Sequence, residues 1–65
     1  MRLDSIKIKL LMAELEINQT VLAEKVGVSR QNISLMLCRG TCSITNAGKL
    51  AKALGVNVRE IVKEE

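Results

Sequence analysis

The four residues Val26-Gly27-Val28-Ser29 constrain the fold of this chain more than any other stretch. Gly27 follows a short apolar run of Val21, Leu22, Ala23 and Val26, and it is free to take the left-handed conformation that closes a helix. Ser29, two residues on, is a preferred N-cap. From Arg30 to about Cys38 the apolar positions again recur at helical spacing. Two helices joined by so short a turn must meet at an angle and share a core.

The rest of the chain is punctuated in the same way. Asp4 caps a first helix whose stripe Ile6, Leu10, Ala13 and Ile17, widened by Leu3 and Leu11, is expected to face the core. Lys7, Lys9, Glu14 and Glu16 lie mostly off that stripe, and Asn18 caps the second helix. After Arg39 and Gly40 a short polar loop leads to Ser43 or Thr45, either of which starts a fourth helix. Its inward face is Ala47, Leu50, Ala51 and Leu54, and Gly55 stops it. Asn57 to Glu60 resembles a capping box and opens a short last helix containing Ile61 and Val62. The expectation is an all-α fold: one compact five-helix domain over residues 1–65. With no Phe, Tyr, Trp or Pro, its core must be aliphatic, and at 65 residues it stands near the lower limit for folding unaided.

Composition removes several classes of function. The apolar runs are too short to cross a membrane, and polar and acidic residues follow the N-terminal lysines too soon for a signal peptide. Cys38 and Cys42 would close a very small disulfide loop. With no His they cannot complete a four-ligand zinc site, so two reduced cysteines in a cytoplasmic protein are expected. No base–nucleophile pair, phosphate-cradling glycine loop or metal cluster can be assembled. Catalysis, a cofactor and a small-molecule substrate are therefore not expected.

Charge points to a partner. Lys25, Arg30, Arg39, Lys49, Lys52 and Arg59 fall between Glu24 and Glu60 with no acid among them. That segment carries +6 while the two ends together carry −3. A segregated positive face is the footprint of a polyanion.

The segments "NQTVLAEKVGVSRQNISLMLCRG" and "NAGKLAKALGVNVREIV" resemble the phage repressor and Cro-type helix-turn-helix family, the XRE family, over about residues 5 to 63. The resemblance implies a lambda-repressor-like domain whose second and third helices form the helix-turn-helix. The recognition helix, about 29–38, would lie in the major groove of double-stranded DNA. It places Arg30, Gln31, Asn32, Ser34 and Leu35 at or near base edges. Arg suits guanine, Gln and Asn suit adenine, and a leucine can touch a thymine methyl, although Leu35 could equally serve packing or a dimer contact. It places Gln19, Ser29, Arg39, Thr41, Thr45 and Asn46 at backbone phosphates, with helix capping the plainer role for Thr45. Ile33 to Gly40 holds one residue more than the family pattern, which implies a third helix running slightly further and a compressed loop after it.

The family resemblance further implies a bacterial or phage-type transcriptional regulator, commonly a dimer on an inverted repeat. A homodimer would use the last helix or Leu35 and Val58. The rival reading is an interaction module, an antitoxin or adaptor on the same fold. Such a module should lack the polar, cationic start that "SRQN" gives the third helix. Single-stranded nucleic acid is disfavoured because stacking platforms need aromatic side chains.

Overall fold

The computed structural model describes residues 1–63. Four α-helices follow one another: α1 (Ser5–Leu15), α2 (Gln19–Val26), α3 (Arg30–Arg39) and α4 (Ile44–Leu54). Each N-terminus is satisfied by the side chain that local chemistry favours. Asp4 accepts from the Lys7 N–H, Asn18 from Val21, Ser29 from Asn32 and Ser43 from Asn46, at 2.9–3.2 Å. Ser43 rather than Thr45 is thus the cap of α4. Gly27 closes α2 at φ +86° and Gly40 closes α3 at φ +69°, conformations in which a side chain would be strained. Glu16 closes α1 in the same left-handed region without being glycine.

The expected fifth helix is a single 3₁₀ turn, Val58–Glu60. Its cap forms as the sequence indicates, with the Asn57 side chain accepting from the Arg59 N–H and the Glu60 carboxylate accepting from the Asn57 N–H. The helix does not propagate because other partners take its backbone groups. The Asp4 N–H donates to the Ile61 carbonyl (2.8 Å), the Lys63 N–H donates to the Arg2 carbonyl (2.9 Å), and Val62 pairs with Leu3 in an antiparallel bridge.

That bridge belongs to a clasp made by the first four residues. On their other side the Leu3 N–H donates to the Gly40 carbonyl (2.8 Å) and the Cys42 N–H donates to the Met1 carbonyl (3.0 Å). Arg2 and Thr41 form a second bridge. The N-terminal segment therefore ties the end of α3 to the end of the described chain.

The largest fully buried side chains are Ile8, Leu22, Ile33 and Leu50, on the four helices in turn, and Ile61, just after the 3₁₀ turn. Met12, Ala23, Val26, Met36, Leu37, Ala51 and Leu54 fill the space between them. Helix α1 is rotated from expectation. Ile8 and Met12 face inward, while Ile6 is 71% exposed, Leu10 60% exposed and Ala13 exposed. Ser5, Ile8 and Met12 share one face, and the Ser5 hydroxyl donates to the Leu37 carbonyl at 2.8 Å, which fixes the rotation. Of the expected stripe, Leu3 is buried, and Leu11 and Ile17 pack against the core from partly buried positions.

Candidate nucleic-acid interface

The interface is built on α3, which divides along its length by face. Ile33, Met36 and Leu37 are buried and hold the helix against the domain. Every other residue from Arg30 to Arg39 is exposed. At about 100° per residue these exposed positions sweep a broad arc with Gln31 near its centre, flanked by Ser34, Leu35 and Cys38. Helix α3 packs against α2, on which Ala23 is small and buried.

The arc has two sides. Arg30, Gln31 and Ser34 enclose one shallow hollow on the outer surface. Asn32, Leu35, Met36 and Arg39 line another with Thr41, Cys42 and Asn46 from the loop and the start of α4. The second hollow gathers Arg39, Thr41 and Asn46, expected at phosphates, and adds Asn32 and Leu35, expected at bases. Asn32 therefore faces the side of the helix where backbone contacts are expected. Leu35, 47% exposed, forms part of that wall without being sealed into the core.

The remaining expected positions lie apart from both hollows. Gln19 is the first residue of α2 and half-buried, next to the α2 N-terminus where free N–H groups attract anions. Ser29 is exposed with its hydroxyl oxygen occupied by the Asn32 N–H, which leaves the hydroxyl proton to donate. Thr45 is exposed on the first turn of α4.

Two residues escape a reading of the sequence alone. Cys38 lies on the outward arc, one turn after Ser34 and two after Gln31, because α3 runs to Arg39 and carries the thiol within the helix. The extra residue before Gly40 was its signal. Ile44, at the start of α4, is 75% exposed and, with Met1, Val58 and Val62, lines an apolar hollow rimmed by Arg2, Arg59 and Lys63. By spacing Ile44 stands three residues before Ala47 and seven before Ala51, in line with the buried stripe, so periodicity points it inward and its exposure at the first turn of α4 shows only in the fold.

Among the described residues no group of three or more His, Cys, Asp or Glu side chains could hold a metal ion. No helix among them is long and apolar enough to cross a membrane. The chemistry on offer is that of hydrogen-bond donors, amides and cations presented on a rigid helix.

A short helix, a glycine turn and a second helix with a polar outer face define a helix-turn-helix. A family model described as the Cro/C1-type HTH DNA-binding domain matches residues 7–64, nearly the whole chain. The chain belongs to that family, as its resemblance to the Cro-type repressors indicated. No curated protein and no solved structure matches it.

Proposed function

We propose that this chain is a sequence-specific regulator of transcription, most simply a repressor, that reads duplex DNA with α3 in the major groove. One observation carries the reading: Arg30, Gln31 and Ser34 stand together on the exposed face of a helix whose opposite face is locked into the core. A base-reading group must be held rigidly to discriminate, and α3 is held by three buried side chains and by the clasp at Gly40. Arg30, Gln31 and Ser34 are the direct readers. Leu35 supplies an apolar contact, and Asn32 reaches either a base or the adjoining phosphate. Gln19, Ser29, Arg39, Thr41, Thr45 and Asn46 fix the register on the backbone. No acid lies from Lys25 to Arg59 to repel that backbone.

The protein acts as a homodimer on an inverted repeat in the cytoplasm, where its duplex partner lies. A domain with one reading helix covers one half-site, which yields limited specificity. The exposed Ile44 beside Val58 and Val62 supports a dimer face at the last turn, close to the place expected from Val58. The test is selection from a random duplex pool. Enrichment of a two-fold symmetric site supports both parts of the reading, an unpaired half-site removes the dimer, and the absence of any enriched sequence removes base recognition.

A further inference from the structure

The hollow beside Ile44 encloses about 640 Å³, within the roughly 300–1,000 Å³ of sites that hold small molecules. Its floor is aliphatic: Met1 from the clasp, Ile44 from the first turn of α4, Val58 from the 3₁₀ turn and Val62 beyond it. The core does not claim Ile44 or Met1, which are 75% and 48% exposed. The rim is cationic, with Arg2, Arg59 and Lys63. Among the described residues no acid lines the hollow, and the neighbouring Glu60 carboxylate is engaged by the Asn57 N–H at 3.0 Å.

We propose that this hollow binds a small aliphatic carboxylic acid, with its chain on the floor and its carboxylate at Arg59 and Lys63. Floor and rim together choose the occupant. A neutral apolar molecule would leave the cations unmatched. A nucleic-acid backbone would match them and leave the floor wet. A second copy of the chain would bring the same cations to the same rim. An alkyl chain ending in one carboxylate satisfies both parts, since burial of its methylenes is favourable and a guanidinium fork fits a carboxylate with two parallel N–H bonds. The chain is alkyl rather than aromatic because the sequence holds no ring to stack on.

Two consequences follow from where the hollow lies. Met1 and Arg2 are clasp residues, joined to Cys42 and Thr41 by backbone pairing, so an occupant that bridges them to Val62 and Lys63 holds the clasp shut and raises the melting temperature by mass action. An occupant on Ile44, Val58 and Val62 also competes with a second copy for the same surface, so the acid should dissociate a dimer formed there. That second consequence rests on the dimer proposed above; the binding itself does not.

The test titrates octanoate into the full chain without DNA and follows the isoleucine, leucine and valine methyl groups by NMR. Saturable shifts are expected at Ile44, Val58 and Val62, and none at Ile6 and Leu10, which are exposed on α1 beside lysines. Hexanoate should bind more weakly, by up to about fourfold for each missing methylene. Arg59→Gln with Lys63→Gln, shown to be folded by circular dichroism, should weaken octanoate about tenfold, since two exposed charge contacts are lost, and leave the weaker binding of octanol unchanged. The absence of a saturable shift overturns the proposal. So do equal shifts at Ile6 and Leu10, which would mean adsorption to any apolar surface, and octanol binding as tightly as octanoate. No residue of the hollow is assigned to DNA, so failure here leaves the DNA reading standing.

Discussion

Cys38 and Cys42 are four residues apart and chemically unlike. Cys38 is exposed on the outer arc of α3, and Cys42 is partly buried where the N-terminal clasp covers the loop. Burial pushes the Cys42 thiol up, and the nearby N-terminal ammonium only partly opposes this. A raised thiol pKa means less thiolate at a given pH, and thiolate is the reactive form. Iodoacetamide at neutral pH should therefore modify Cys38 well before Cys42, with Cys42 catching up as the pH rises. Peptide mass spectrometry reads both sites. Bound duplex should protect both thiols, Cys38 on the outward arc of α3 and Cys42 in the hollow it shares with Arg39, Thr41 and Asn46. Arg39 makes a different prediction. Assigned to phosphate, its replacement by alanine should weaken binding evenly across sequences and lower the salt slope by about 1; an altered base preference would place it among the readers.

At the level of the helices, most boundaries were legible because they are local chemistry. Asp4, Asn18, Ser29, Ser43 and Asn57 all cap as their side chains indicate, and the buried faces of α2, α3 and α4 follow their periodicity. The rotation of α1 was not legible. Its sequence is apolar on two sides, so periodicity allows either stripe inward, and the choice is made by Ser5 reaching Leu37, 32 residues away. The last helix failed for the same kind of reason. Its cap is local, but the backbone groups beyond Glu60 are claimed by residues 2 to 4. The exposed, polar start of α3 was legible from "SRQN", whereas the position of Cys38 depended on the true length of α3.

The same level yields two stability predictions. Glu16 holds φ +55°, which costs a non-glycine residue about 1 kcal/mol. Glu16→Gly should recover most of that and raise the melting temperature by roughly 4–8 °C per kcal/mol; a lowered melting temperature would mean the side chain has a role the backbone does not reveal. Leu22 is fully buried between α2 and its neighbours. Leu22→Ala should cost about 2–5 kcal/mol, which is comparable to the whole stability of a small domain. Circular dichroism should then show a chain largely unfolded at room temperature.

The molecule as a whole separates its tasks by surface. A five-residue aliphatic centre holds four helices, the clasp fixes the far end of α3, and the polar arc of α3 is left outward. From Lys25 to Arg59 the sequence carries six cations and no acid, Arg30 and Arg39 among them on α3, so binding to duplex should depend on counterion release and affinity should fall steeply and linearly in log salt. A flat salt response would contradict an interface built on phosphates. In the proposed reading specificity rests on fewer groups, with Arg30 foremost, since a guanidinium can pair bidentately with guanine. The most direct measurement compares the chain with Arg30→Ala on the selected duplex and on every single-base-pair variant of it. Discrimination should drop by about 1–3 kcal/mol at one base pair of each half-site, with the other positions unchanged. An identical preference at every position, however much weaker the binding, would contradict base reading by α3 through Arg30.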